Sequence, residues 1–302
     1  MEPFEYSAEF REMIAYLHRG GEGLPRYDDY LSAHLGGPGS RLLVFSKRVC
    51  PEIEYHCGTL RGKRVLDFGC GTGATTAALA EYCDDVSAFD IGRESIDICR
   101  RRLKEHGLGE KVKLYCGDSV DDFREAMGKF DVIVINGVLE HIPITIKGLR
   151  QNVLESTFSL LNESGYLFIN GSPNRLHPYD THTTQLWWVP WSRPGSKWAY
   201  SRALSRGRFG DMGTASKGPL GLEEAGAWGV TYWEIKRYLA KGKPVFLNTM
   251  PGHDRYIFYA TAPKNRRPNP LKFLVYLIAV RLLRIPLTAL RPFIENLVIV
   301  RE

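Results

Sequence analysis

From Lys63 onward, short apolar runs alternate with stretches of helical periodicity. Arg64–Phe68 reads as a strand that ends in Gly69-Cys70-Gly71-Thr72-Gly73, and Ala74–Tyr82 is rich in helix formers. Val86–Asp90 is a second strand, followed by a helix over Glu94–His106 in which Ile96, Cys99 and Leu103 recur at spacings of three and four. Val112–Cys116, Phe130–Asn136 and Tyr166–Asn170 continue the strands, with helices over Ser119–Met127 and Leu149–Leu161 between them. This alternation predicts an α/β fold with a doubly wound parallel sheet covered on both faces. Right-handed crossovers then gather the strand C-termini on one edge, where ligands bind.

The flanks follow other patterns. Residues 1–60 read as a helical cap broken by turns at 20–25 and 36–39, either a lid or packing. After Gly171 the alternation stops, and residues 172–229 form an insertion within a main domain at 61–263. Thr231 and Glu234 have the spacing of a capping box opening a helix to about Ala240. Val245–Thr249 and Arg255–Thr261 read as an antiparallel pair closing the sheet. Residues 264–302 form a basic linker and an apolar tail. In that tail Arg281, Arg284, Thr288, Arg291 and Glu295 fall at spacings of three and four. A C-terminal amphipathic helix over 271–300 is expected, lying on an anionic bilayer surface or docking on its own domain or a second copy as a homodimer. Arg281 and Arg284 fall too near its middle for a spanning helix.

Composition narrows the class. The 302 residues are 44% hydrophobic and 25% charged, which excludes a disordered or collagen-like chain. Six cysteines without a CxxC pair exclude a zinc ribbon and fit free thiols in a reducing cytosol. The first residues lack the apolar stretch of a secretory signal, so a cytoplasmic protein, peripheral on the membrane face, is expected. The net charge of +6 is mild, and with no reading module nucleic acid is not an expected partner.

Gly69-x-Gly71-x-x-Ala74 after a strand also fits a dinucleotide loop. Asp67, two residues before the first glycine, suits a cationic amino acid better than a pyrophosphate. Asp90 lies 21 residues after Gly69 at a strand end, suited to ribose hydroxyls. Gly117-Asp118 and Asn136-Gly137-Val138-Leu139-Glu140-His141 follow the third and fourth strands. Together with Val65-Leu66-Asp67-Phe68-Gly69 and Phe130-Asp131-Val132-Ile133-Val134, these motifs resemble the class I S-adenosylmethionine-dependent methyltransferases, with their Rossmann-like sheet. The resemblance implies S-adenosyl-L-methionine as cofactor, its methionine part on the Gly69, Gly71 and Gly73 loop with Asp67. It implies ribose on Asp90 and adenine on Asp118, with Asn136 on the same rim. Asn136 departs from the residue often found there, and the Pro-Pro-Tyr signature of amino-methylating DNA enzymes is absent.

Acceptor chemistry is sought on the same rim. A hydroxyl acceptor needs its proton removed, which makes His141 a candidate base. Pro173–Thr183 leaves the fifth strand and holds Asn174, Arg175, His177, Asp180 and His182. Asp180 and His182 are expected as a base with its orienting carboxylate. No resident metal is expected, the alternative being a divalent ion on His177, Asp180 and His182. Trp187, Trp188, Trp191 and Trp198 suit sugar rings, flat rings or acyl chains. Arg193 lies in a run from Thr181 to Gly210 without an acid, which favours an anionic acceptor. The expected activity is O-methylation of a glycan, lipid-linked saccharide or lipid. The alternatives are a quinone-type or secondary-metabolite methyltransferase, and an inactive scaffold of the same fold.

Overall fold

The computed structural model describes residues 2–19, 22, 27–209, 217–253 and 270–302. Its centre is a seven-stranded sheet. The strands are β1 (Arg64–Phe68), β2 (Asp85–Asp90), β3 (Val112–Cys116), β4 (Phe130–Asn136) and β5 (Leu161–Asn170), then β7 (Pro244–Phe246) and β9 (Leu297–Arg301). β6 (Ser172–Pro173) and β8 (Phe293–Ile294) form a separate short pair. The sheet order is β3-β2-β1-β4-β5-β9-β7. The first five strands are parallel, and β9 is antiparallel to both its neighbours. The four strands and the glycine turn expected from Arg64 to Asn136 fall within a residue of where the apolar runs put them.

Helices α1 (Ala8–Leu17), α2 (Tyr27–His34), α3 (Arg41–Val44) and α4 (Cys50–Cys57) form the N-terminal cap. They are followed by α5 (Ala74–Tyr82), α6 (Arg93–Glu105), α7 (Arg124–Met127), α8 (Leu149–Ser159), α9 (Lys197–Ser205), α10 (Pro219–Glu224), α11 (Tyr232–Leu239) and α12 (Pro270–Tyr276). One face of the sheet is covered by residues of α8 and α11, including Leu154, Phe158, Ile235 and Leu239. The other is covered from α3 to α6 by residues such as Leu42, Ile53, Ala78 and Leu103. Because both faces are covered, β4 carries apolar residues at consecutive positions rather than in alternation. The capping box on α11 forms as the sequence predicts, with Thr231 and Glu234 each satisfying the other's backbone N–H.

The N-terminal segment packs on α6. Phe10 and Ile14 of α1 pack on Ile98 of α6. Between them the fully buried Arg102 donates to the Thr72 and His34 carbonyls and to the Tyr6 hydroxyl. A buried guanidinium is costly unless every donor is used, so this clamp fixes the cap against the turn that carries Thr72. The insertion has a small core of its own, in which Val189, Ala203, Phe209 and Leu222 surround a buried Trp228.

The tail departs from expectation. Helix α12 and a π-helical continuation end at Leu282, so no single helix runs through 271–300. Thr288 is buried, and its hydroxyl accepts from the Glu295 N–H, while Arg291 pairs with Glu295 at 3.0 Å. The five polar positions therefore do not share one helical face. Residues 297–301 enter the sheet as β9, between β5 and β7, with Leu297, Val298 and Ile299 fully buried. β-branched residues between two strands are favoured there over an exposed helix. β7 thus pairs with the chain's end. Residues 255–261, its expected partner, lie outside the described residues. Ile299→Ala should lower the free energy of unfolding by about 2–5 kcal/mol in urea denaturation. A loss below about 0.5 kcal/mol, the size of an exposed substitution, would remove β9 from the core.

Candidate active site

The C-terminal ends of β1, β2, β4 and β5 share one rim. The turn after β1 holds Gly69 at φ +74° and Gly73 at φ +81°. A Cβ on Gly69 would lie 2.4 Å from Val138 Cγ2, and one on Gly73 2.4 Å from Cys99 Sγ. Glycine is therefore required at both positions, by conformation and by space. Gly69 and Cys70 donate their N–H groups to the Phe89 carbonyl, which binds this turn to the end of β2. Asp90 draws it closer: Oδ2 accepts from Gly71 N–H and Oδ1 from Gly92 N–H, each at 2.8 Å. Each oxygen keeps a second lone pair for a ligand hydroxyl.

Asn136, at the end of β4, donates to Thr75 Oγ1 at 2.9 Å and accepts from Asn170 Nδ2 at 2.8 Å. It ties the start of α5 to β5 across the rim. Asp118 is exposed after β3. Asp67 is less open than its place before the glycines suggests. It is 1% exposed, accepts from Thr76 Oγ1 at 2.6 Å, and leaves Oδ1 unpartnered. Burial raises its pKa to about 7, so it is not the plainly charged carboxylate that the sequence reading supposes.

The second part of the rim comes from the loop after β4 and the insertion. A 3-10 turn over Leu139–His141 buries Glu140, whose Oε2 accepts from Ser172 Oγ at 2.7 Å. Among the described residues Oε1 has no hydrogen-bond partner. It lies 3.8 Å from His141 Nε2 and 3.9 Å from His182 Nε2. Burial lowers the His182 pKa against the opposing charge of Glu140. Gly226 packs beside both groups, where a Cβ would come within 3.0 Å of Glu140 Cγ and 3.1 Å of His182 Nδ1. Two buried contacts lock the insertion in place. Arg150 donates to the Ile142 and Gly229 carbonyls, and Glu223 accepts from Ile144 N–H and from Thr145.

His141 and His182 are thus brought together, but Asp180 does not orient the His182 ring. Its carboxylate is buried and accepts the backbone N–H groups of His182, Thr183 and Thr184. Those donors satisfy it as a turn cap, which removes the expected dyad. Asn174 is buried and bonded to the Ala289 and Arg291 carbonyls. Arg175 pairs with Glu234 at 2.5 Å, and His177 meets the Leu290 carbonyl at 3.1 Å. These three residues fasten the loop to α11 and the tail, and the His177, Asp180 and His182 metal set is not assembled. Trp187 and Trp188 are half exposed and Arg193 is exposed. The sequence reading quotes Glu140 within a motif and gives it no role. The signal for it is an acid placed between apolar Leu139 and the histidine.

Two outcomes follow from this geometry. Asp90→Ala should cost about 1–3 kcal/mol of stability, because it removes the acceptor of two loop N–H groups. An unchanged urea midpoint would place those N–H groups on other partners. For Asp67, a pKa raised on folding means stability is lost as pH rises from about 4 towards 7. Asp67→Asn should therefore gain on the wild type across that window in denaturation series. A pH-independent difference would leave Asp67 charged throughout.

Residues 65–165 match a methyltransferase domain family. The chain is 31% identical over 132 residues to a ubiquinone biosynthesis O-methyltransferase of Actinobacillus pleuropneumoniae serotype 7, covering 42% of this chain and 53% of the relative. It is 47% identical over 75 residues to a magnesium-protoporphyrin O-methyltransferase of Rhodobacter capsulatus, covering 25% of this chain and 32% of the relative. A solved magnesium protoporphyrin IX methyltransferase from Synechocystis PCC 6803 is 18% identical, with a TM-score of 0.38 over 53% of this chain and 71% of that one. The chain spans about half the length of the ubiquinone-type relatives it matches. The matched segment holds the glycine turn, Asp90 and the loop after β4, and residues 65–165 are identified as a methyltransferase domain.

Proposed function

We propose that this protein transfers the methyl group of S-adenosylmethionine to a hydroxyl of a flat, conjugated acceptor of the quinone-precursor type. The observation that carries the reading is the identity to named O-methyltransferases, 31% over 132 residues and 47% over 75. It replaces the glycan or lipid-linked acceptor as the first choice, since the named relatives act in ubiquinone and protoporphyrin chemistry. In the transfer the sulfur–methyl bond breaks, an oxygen–methyl bond forms, and the hydroxyl proton leaves. The protein's task is to hold the two reacting atoms at about 3–3.5 Å in line and to keep water out. The Gly69–Gly73 turn would take the methionine part, Asp90 the ribose, and Asp118 the adenine edge. Asn136 would keep the rim in register, and His141 and His182 would face the acceptor hydroxyl.

A conjugated, poorly soluble acceptor also suits the exposed faces of the molecule. Leu271, Phe273, Leu274, Leu277, Ile278 and Leu282 are all exposed along one helical segment. Arg281 and Arg284 stand beside it, and Lys264, Arg266 and Arg267 precede it in the sequence. Apolar residues flanked by cations favour an anionic lipid surface, from which the acceptor would be drawn. No helix among the described residues is long and apolar enough to cross a membrane. The glycan reading keeps one support, a run of ring contacts from Tyr179 through Trp187 and Trp188 to Trp191 on the surface.

Radiolabelled methyl transfer should proceed to catechol-type acceptors and not to sugar nucleotides or lipid-linked sugars. Transfer to the sugars alone would reverse the choice, and binding of cofactor with no transfer to any acceptor extract would leave a scaffold. The lipid surface is tested without truncation, because β9 belongs to the sheet. Leu274→Glu with Ile278→Glu should abolish co-sedimentation with phosphatidylglycerol vesicles, and unchanged sedimentation would end the lipid reading.

A further inference from the structure

We propose that Glu140, His141 and His182 form a binding site for one divalent transition-metal ion of the zinc type. The three residues offer one ligand atom each, and those atoms lie within 4.8 Å of one another. The tautomers follow from the hydrogen bonds. His141 Nδ1 lies 2.7 Å from the Glu224 carbonyl, which can only accept, so Nδ1 carries a proton, and in the neutral ring Nε2 is the lone pair. The Thr183 hydroxyl donates to the Ala225 carbonyl at 2.7 Å, so it accepts from His182 Nδ1–H at 3.0 Å. His182 Nε2 is then a lone pair as well.

Both Nε2 atoms face Glu140 Oε1, the oxygen with no partner on a carboxylate that is 1% exposed. Three lone pairs therefore converge on one point. A buried carboxylate oxygen left without a donor and facing two imidazole lone pairs is costly. A proton on either Nε2 gives Oε1 a long ion pair but no hydrogen bond, because 3.8 and 3.9 Å are too long for one. A metal ion satisfies the set. With metal–ligand bonds of about 2.1 Å, tetrahedral donors stand about 3.4 Å apart, so the two carboxylate–imidazole pairs close by several tenths of an ångström, and the imidazoles approach each other from within 4.8 Å.

The surroundings are those of a ligand set held in place. Each imidazole donates its other N–H to an acceptor fixed by the fold, and the second carboxylate oxygen is held by Ser172. Two imidazoles and one carboxylate favour zinc, cobalt or iron over magnesium, which prefers oxygen ligands and keeps its waters. Three protein ligands leave a position open, and His141 and His182 are partly exposed while Glu140 is buried. An acceptor oxygen bound there would ionise at neutral pH, as metal-bound water does. Under the transfer reading this is how the two histidines act on the acceptor, but the binding site itself does not rest on that reading.

The test is a titration of the full chain with cobalt(II), followed by visible absorption, with zinc as competitor and neither cofactor nor acceptor present. Wild type should take up one cobalt with ligand-field bands that zinc abolishes. Glu140→Gln and His182→Ala should each weaken that binding at least tenfold. Circular dichroism melting checks that each variant is folded. Should Glu140→Gln not fold, His182→Ala on its partly exposed loop carries the comparison. A folded wild type without bands, or equal binding by wild type and folded variants, overturns the site. Because no methyl transfer is read, failure here is distinct from failure of the transfer reading.

Discussion

The parallel pairing of β1 with β4, register Val65 to Val132 through Phe68 to Ile135, is the constraint on which the rest of the molecule depends. Both strands are buried on both faces, where polar groups are costly, and the one carboxylate inside β1, Asp67, is tied to Thr76. Polar chemistry is expelled to the strand ends. Because the two strands are parallel and adjacent, the glycine turn and the Leu139–His141 turn emerge at the same edge. Close approach is built into their contact, since Gly69 has no side chain where the Val138 methyls sit.

Two kinds of bond then join the edge to the outer layers. On the β2 side, Asp90 and the Arg102 clamp bind the glycine turn to α6 and the N-terminal cap. On the β5 side, Asn136 reaches Asn170, and Asn170 accepts from Asn296 at the start of β9. The tail is therefore coupled to the rim. Its last strand, from Leu297, completes the sheet, while α12, ending at Tyr276, presents leucines outward earlier in the same tail. One segment thus serves the core and a surface, an economy that a single amphipathic helix would not provide.

The central strands and the glycine turn were legible because burial on both faces leaves uninterrupted apolar runs. The capping box on α11 was legible because its geometry is local. The tail was not. Spacings of three and four among Arg281, Arg284, Thr288, Arg291 and Glu295 imitate a helical face, and a five-residue β-branched strand near its end carries no competing period. Asp180 and His182 looked like a dyad because sequence gives proximity without direction, and the carboxylate turned to three backbone N–H groups instead. Glu140 went unassigned for a related reason. Its meaning comes from His182, which is 42 residues away and reaches it only through the folded insertion.

The most direct measurement is a crystal structure of the protein with S-adenosylhomocysteine. The prediction is that the ribose hydroxyls bond to Asp90, the amino-acid end lies on the Gly69–Gly73 turn, and the sulfur points toward His141 and His182. A sulfur directed away from those histidines, or a ligand seated elsewhere on the molecule, would contradict the proposed transfer at this rim.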